Sequence, residues 1–132
     1  MPSQVNPAIS EAESRVMEVL WTQAPQGSED LAAALLGDTG WHENTVRTLL
    51  NRLIRKGAVR AEREGRRYLY APVLSREQWQ AHESRSLLDR VFGGRVAPLL
   101  VHFSRTEKLS ARDVAELRKL VERLEQKERR RD

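Results

Sequence analysis

The chain has 132 residues, of which 32% are charged and 5% aromatic, and its formal net charge at pH 7 is +4. It contains no cysteine, which excludes disulfides, zinc–thiolate sites and thiol redox sensing. No apolar run approaches the roughly 20 residues that span a membrane, and the first residues lack a basic, apolar signal sequence. We therefore expect a cytoplasmic protein without membrane contacts, made of one domain or two small ones.

The positive charge is concentrated in the middle of the chain. Residues 1–41 contain one basic and six acidic residues, whereas residues 42–72 contain eight basic and three acidic ones. A basic block that follows an acidic one is weak evidence for a surface that binds a polyanion.

Two helices are predicted before this basic block. Ser10 and Glu13 have the spacing of a capping box, which begins a helix that stops at Ala24–Gly27. Ser28 is predicted to cap the second helix, because acidic residues follow it in what would be the first turn.

The third predicted helix, residues 41–57, has one apolar and one polar face. Its apolar residues follow the i, i+3, i+4, i+7, i+8 pattern of an amphipathic helix: Val46, Leu49, Leu50, Leu53 and Ile54. Its other side chains are of the kinds that read base edges or hold phosphates: Asn44, Thr45, Arg47, Thr48, Asn51, Arg52 and Arg55. Taken alone, such a face is more often an ordinary solvated surface, so the interpretation depends on the neighbouring elements. Gly57 is expected to end the helix in the left-handed conformation.

Residues 58–73 predict a β-hairpin. Strand-forming residues lie on both sides of a turn at Glu64–Arg66, and a hairpin of two strands is stable only when it packs on other elements. Three helices followed by a hairpin make a winged helix-turn-helix. Arg63, Arg66 and Arg67 are predicted to reach the phosphate backbone or minor groove from the hairpin tip. The alternative is a charged hairpin edge that discourages aggregation.

Three further helices are predicted in residues 74–132. The first begins at a capping-box pattern at Ser75 and ends at two glycines, residues 93–94. The second is a short apolar segment, residues 96–103, and the third is capped by Ser110. The predicted fold is therefore mostly α with a small β-hairpin, divided into a winged-helix domain, residues 1–73, and a helical domain, residues 74–132.

The helical domain is predicted to form a two-fold homodimer. It has more apolar surface than so small a unit can bury, and a few hundred Å² would not stay exposed at about 25 cal/mol per Å². The residues predicted to face the second copy are Leu87, Leu88, Val91, Leu99, Leu100, Leu117, Leu120 and Leu124. The alternative is a monomer in which this half folds back on the winged helix.

From Ile9 to about Leu124 the chain resembles the penicillinase and methicillin-resistance repressor family. The resemblance rests on several short runs, among them Ile9–Glu13, Trp41 with Thr45, Asn51–Leu53, Tyr68–Tyr70 and Phe92–Gly94. It implies a dimeric repressor that covers a palindromic operator in double-stranded DNA, with the third helix in the major groove and the wing on the backbone. It further implies β-lactamase or antibiotic-response genes as candidate targets.

The resemblance also suggests how repression is relieved. The β-lactam-responsive members are cut at an Asn–Phe bond in the short apolar segment, and the matching residues here are His102 and Phe103. Copper-responsive members carry a C-terminal cysteine cluster, which this chain lacks. We keep proteolysis in or near residues 101–104, by a sensor-linked protease, as a hypothesis.

No enzymatic motif is present in the sequence. It has no Gly-rich phosphate loop and no hydrolase or metalloprotease signature, and its histidines, His42, His82 and His102, are too far apart for a metal motif. We therefore expect neither an enzyme nor a cofactor or metal site. The alternative function is a winged-helix scaffold for protein interactions, with no specific DNA target.

Overall fold

The computed structural model describes residues 5–106 and 108–131. The elements follow the chain as α1 (Glu11–Thr22), α2 (Ser28–Thr39), α3 (Glu43–Arg55), β1 (Val59–Glu64), β2 (Arg67–Pro72), α4 (Arg76–Val91), α5 (Val96–Thr106) and α6 (Ala111–Arg131). This order confirms the predicted mostly α fold with a small hairpin. The chain forms two compact units, one up to Ser86 and one from Leu87 onward.

Local hydrogen bonds explain where three of the helices begin. Ahead of α1, the Ser10 hydroxyl accepts from the Glu13 N–H at 3.0 Å, and the Glu13 carboxylate accepts from the Ser10 N–H at 2.7 Å. Ser75 and Gln78 form the same reciprocal pair ahead of α4. The Ser110 hydroxyl accepts a hydrogen bond from the first turn of α6. The capping predictions at these three helices are confirmed, because each depends only on residues three apart in sequence.

The predicted cap of α2 was wrong. Ser28 is the first residue of the helix, and Gly27 holds the N-cap position with no side-chain hydrogen bond from the residues that the structure describes. The Ser28 hydroxyl instead donates to Glu43 Oε1 on the next helix, at 3.1 Å. The hydroxyl thus bonds to a residue 15 positions away and not to the backbone of its own helix. The first-turn N–H groups of α2 are therefore left without a side-chain cap among the described residues.

The core of the first unit is built from the apolar faces of α1, α2 and α3. Its buried members are Ile9, Val16, Met17, Leu20, Leu31, Leu35, Val46, Leu49, Leu50, Leu53, Ala58, Val59 and Leu74. Ile54 is the only predicted apolar residue of α3 outside this core, and its side chain is 37% exposed. Burying four side chains of α3, each worth about 1.5–3 kcal/mol, fixes the rotation of the helix about its own axis.

The hairpin is confirmed and is joined to the helices by backbone hydrogen bonds. β1 pairs antiparallel with β2, with Glu64 opposite Arg67, so the turn consists of Gly65 and Arg66. The N–H of Gln26, in the loop before α2, donates to the Tyr70 carbonyl at 3.1 Å, and the Tyr70 N–H donates back at 2.8 Å. This bridge gives the hairpin the support that a two-stranded sheet requires.

The beginning of α4 belongs to the first unit. Trp21 Nε1 donates to the Leu74 carbonyl at 2.8 Å, and the Trp21 ring centroid lies 5.5 Å from that of Trp79. The Arg76 guanidinium lies 5.5 Å from the Trp21 ring centroid and 2.9 Å from the Glu18 carboxylate. These contacts hold the first turns of α4 against α1.

The second unit contains the end of α4 together with α5 and α6. Gly93 and Gly94, with φ angles of +59° and +79°, end α4 as predicted. Pro98 lies in the first turn of α5, where a missing N–H costs nothing. Among the described residues of α5 and α6, no side chain is buried within a single chain. The described apolar residues of α5 and α6 therefore remain at least partly in contact with solvent.

A buried ion pair joins the beginning of α1 to the end of α3. Glu13 is only 1% exposed, and its Oε1 lies 2.6 Å from Lys56 Nζ, which also donates to the Ala8 carbonyl at 3.0 Å. Burial raises the pKa of Glu13, but the hydrogen bonds from Lys56 and Ser10 lower it by more, so the pKa lies below its usual value. Folding therefore favours the charged carboxylate.

Replacing this carboxylate tests the ion pair. We expect Glu13→Gln to lower the free energy of unfolding at pH 7 by about 1–3 kcal/mol, since Lys56 loses a charged partner. Because the folded pKa is depressed, the stabilisation is complete above the usual carboxyl pKa and is lost as the pH falls through the folded pKa. The difference in free energy of unfolding between the wild-type protein and Glu13→Gln, measured by urea unfolding from pH 7 to pH 3, should therefore become smaller below about pH 4.

Glu11→Gln is the control, because Glu11 is an exposed acid in the same first turn of α1. Its effect on unfolding should be within about 0.5 kcal/mol. A Glu13→Gln difference that stayed constant down to pH 3 would contradict the proposed role of the ion pair.

Candidate nucleic-acid interface

The polar face of α3 is exposed along its whole length. The structure places all seven predicted DNA-contact residues of this helix on the surface: Asn44, Thr45, Arg47, Thr48, Asn51, Arg52 and Arg55. They face outward because Val46, Leu49, Leu50 and Leu53 occupy the buried side. Gly57 follows the helix with a φ of +74°, as predicted, and turns the chain toward β1. The face therefore combines amide, hydroxyl and guanidinium groups on one rigid element.

The charges on this face are only partly neutralised. Glu43 is the acid of the first turn, and its Oε1 lies 2.6 Å from Arg47 Nη2. Arg52 and Arg55 have no carboxylate within 4 Å in the part of the chain that the structure describes. They lie in the last turn, where positive charge is favoured by the helix dipole. These two guanidinium groups are available to an external anion.

The structure brings two of the three wing arginines close to α3 and separates the third. Arg66 and Arg67 line a cleft together with Arg47. Arg63 lies on β1, where its Nε donates to the Gly65 carbonyl at 3.1 Å, outside that cleft. The three residues are close in sequence, but Arg63 lies on β1, Arg66 in the turn and Arg67 on β2.

This α2–α3–wing cleft has a volume of about 410 Å³. It is lined by Gly27, Ser28, Glu29, Arg47, Arg66, Arg67, Tyr68 and Tyr70. Three guanidinium groups beside the uncapped beginning of a helix favour a phosphate-like anion, since guanidinium forks and helix N-terminal N–H groups both bind such groups. Reasoning from the sequence missed the contribution of α2. No local pattern relates Ser28 to Arg47, which lies 19 residues away.

The predicted dimerisation residues lie in the second unit and are mostly unburied. Leu88 alone among them is buried in the single chain, at 7% exposure. Leu99, Leu100 and Leu117 are partly buried. The exposed members are Leu87, Val91, Leu120 and Leu124, the last at 55%. Val114 and Val121 extend the same apolar surface along α6.

The residues of the hypothetical proteolytic site lie inside α5. His102 and Phe103 are both exposed, and the His102 ring centroid lies 6.2 Å from that of Phe92. The His102 carbonyl accepts from the Thr106 hydroxyl at 3.1 Å, within an unbroken helical turn.

Two kinds of feature are absent from residues 5–106 and 108–131. No group of three or more histidine or acidic side chains there is arranged to hold a metal ion. No helix in these ranges combines the length and the apolar character needed to cross a membrane.

Comparison with known proteins identifies the family. The family described as Penicillinase repressor matches residues 9–123. The penicillinase repressor of Bacillus licheniformis is 31% identical over 116 residues, which cover 88% of this chain and 91% of that protein. The methicillin resistance regulatory protein MecI of Staphylococcus aureus (strain N315) is 25% identical over 113 residues, covering 86% of this chain and 92% of the relative.

A solved structure resembles the first part of the chain. The solution structure of the DNA binding domain of the repressor BlaI superposes with a TM-score of 0.51 at 33% identity, covering 57% of this chain and 93% of that one. The similarity agrees with the winged-helix arrangement of α1, α2, α3 and the hairpin. The family match extends over most of the chain, from Ile9 onward. The chain therefore belongs to the penicillinase repressor family, a family of transcriptional repressors and not of enzymes.

Proposed function

We propose that this DNA-binding repressor acts as a homodimer on a palindromic operator, with α3 in the major groove and the wing on the phosphate backbone. The observation that carries the proposal is the exposed polar face of α3, which consists of seven residues and is held outward by four buried ones. A helix of this composition can present bidentate partners to guanine and adenine. The free Arg52 and Arg55 and the nearby wing arginines supply the charge that a duplex attracts.

The proposed contacts fall into two classes. Asn51 and Arg52 lie on the helix face that would enter the groove, and we assign them to base edges. Arg66 and Arg67 lie at the turn of the wing, and we assign them to phosphates, which fix position without reading sequence. In this scheme the DNA contacts come from residues 1–73 and the dimer contacts from residues 74–132. The boundary between these functions, placed after Val73, stays a prediction.

Substitutions in the two classes should have different effects on DNA binding. Arg52→Ala or Asn51→Ala should weaken binding to a selected operator by about 1–3 kcal/mol and binding to random duplex much less. Arg66→Ala should weaken both by similar factors and make the salt dependence shallower by about one phosphate contact per protomer. Fluorescence anisotropy across a salt series, with an operator obtained by selection from random DNA, measures all of these quantities.

The wild-type salt series also separates a repressor from a protein-interaction scaffold. If six to ten phosphates are contacted per dimer, the slope of log affinity against log salt should be about −5 to −9. A flat slope would favour the scaffold. Equal losses on operator and random DNA in every variant would show that the two contact classes have been assigned wrongly.

The proposed dimer follows from the apolar surface of the second unit. Leu120, Val121 and Leu124 are each at least 44% exposed on one helix, and Val91 adds to the surface from the end of α4. Each would gain a large part of its transfer free energy on burial against a second copy. A two-fold axis would also place two α3 helices in a symmetric arrangement, which a palindromic operator requires.

A charge placed in this surface should separate the two copies. We expect Leu124→Glu to convert the protein from dimer to monomer at micromolar concentration, as measured by size-exclusion chromatography with light scattering, and to weaken operator binding. Gln126→Glu is the matched control, because it adds the same charge to an exposed position of α6 and should leave the dimer intact. A wild-type protein that is monomeric at every concentration tested would refute the proposed interface.

We further propose that the repressor controls β-lactamase or antibiotic-response genes and is released by cleavage within residues 101–104, by a sensor-linked protease. The support is the family resemblance, by which His102 and Phe103 occupy the positions of the cleaved pair in the β-lactam-responsive members. The bond lies inside α5, so a protease must unwind a helical turn to reach it. Cleavage there would separate the surface of α6 from the DNA-binding residues.

This mechanism predicts a defined fragment in cells. Exposure to a β-lactam should convert the full-length chain into two pieces divided near residue 102, detectable by immunoblotting and mass spectrometry, while the target transcript rises. Induction of the transcript with the chain still uncut would exclude the mechanism. The proposal for DNA binding does not depend on that result.

A further inference from the structure

Glu43 forms an ion pair with Arg47, whose guanidinium group would otherwise be free to bind a DNA phosphate. Its Oε1 accepts from Arg47 Nη2 at 2.6 Å and from the Ser28 hydroxyl at 3.1 Å. The Arg47 Nε lies 3.5 Å from the same hydroxyl, at the outer limit of a hydrogen bond. One carboxylate oxygen therefore connects α2 to α3 and engages the arginine.

Arg47, the partner of Glu43, lines the α2–α3–wing cleft. Arg47 lines this cleft opposite the wing, together with Arg66 and Arg67. The side chains of Arg47 and Glu43 are 56% and 36% exposed, so an external anion can reach both. A phosphate offers a guanidinium two acceptor oxygens in the geometry that a carboxylate offers. Phosphate and Glu43 are therefore alternative partners for Arg47.

We propose that Glu43 is an internal competitor for a DNA phosphate at Arg47, and that it limits the affinity of the repressor for DNA of any sequence. This inference rests on the proposed function. In the free protein the carboxylate takes the place of the phosphate. On DNA the phosphate displaces it, or the contact is not made. In both cases the pairing of Glu43 with Arg47 weakens binding.

The competing assignment is that Glu43 reads a base. A carboxylate at the start of a recognition helix can accept a hydrogen bond from the amino group of cytosine. The two roles predict opposite results when the charge is removed. An internal competitor lowers affinity for every duplex, whereas a base reader raises affinity for the operator only.

The test is Glu43→Gln, measured on the full chain with a random duplex and with the selected operator across a salt series. We expect affinity for random duplex to rise about two- to fivefold at moderate salt. The slope of log affinity against log salt should become steeper by at most about 0.9 per protomer, because one more phosphate is contacted only where the wild-type protein does not make that contact. Unfolding by urea verifies that the variant is folded.

Two controls connect the gain to Arg47. In an Arg47→Gln background, Glu43→Gln should give no further gain, because the arginine that it frees is absent. Glu29→Gln removes one carboxylate charge from the lining of the cleft itself, and Glu29 pairs with no basic residue among those that the structure describes. The effect of Glu29→Gln should be smaller and should persist in the Arg47→Gln background.

The outcomes are separable. Unchanged random-duplex affinity in Glu43→Gln, or a gain that persists without Arg47, overturns this inference and leaves the proposed function standing. A loss confined to the operator overturns it in favour of base reading. A wild-type protein that binds neither duplex at low salt overturns both the inference and the proposed function.

Discussion

The burial of one side of α3 is the constraint on which the rest of the structure depends. Val46, Leu49, Leu50 and Leu53 fill the centre of the first unit, and no rotation of the helix keeps them buried while turning its polar residues inward. The far end of the helix is fixed separately, by the ion pair between Lys56 and the buried Glu13. A recognition surface needs this rigidity, because side chains that read bases must be positioned before DNA arrives. The hydrophobic core thus orients polar groups that take no part in it.

The interface is assembled from segments that are distant in the chain. The loop before α2 joins the hairpin through the Gln26–Tyr70 bridge, and this places Arg66 and Arg67 beside α3. Two of the arginines then lie close to carboxylates of the same protein: Arg47 pairs with Glu43, and Arg67 lies 4.0 Å from Asp30. A surface with some of its positive charge internally paired binds a polyanion less strongly than its composition suggests. The net charge of the basic block is therefore an incomplete guide to its affinity.

The two units differ in how far they satisfy their own apolar residues. The first unit encloses a core of three helices and one hairpin, whereas α5 and α6 bury no described side chain within a single chain. A short unit has too little interior for residues such as Leu120 and Leu124. This difference in packing underlies both the proposed dimer and the proposed release by cleavage, since a cut within α5 would detach α6 and its apolar surface. Burial of this apolar surface against a second copy would then both stabilise the second unit and assemble the dimer.

The sequence by itself determined the features that depend on neighbouring residues. The capping pairs at Ser10 and Ser75, the two faces of α3 and the hairpin turn at Gly65 all follow from spacings of a few residues, which fix local geometry. Only the tertiary structure decided the role of Ser28, which bonds to Glu43 on another helix and not to its own backbone. It also decided that Arg66 and Arg67 share a cleft with Arg47 while Arg63 does not. The physical reason is that such contacts depend on how separate helices and strands pack. Packing brings together residues that are far apart in the chain, and no local sequence pattern relates such residues.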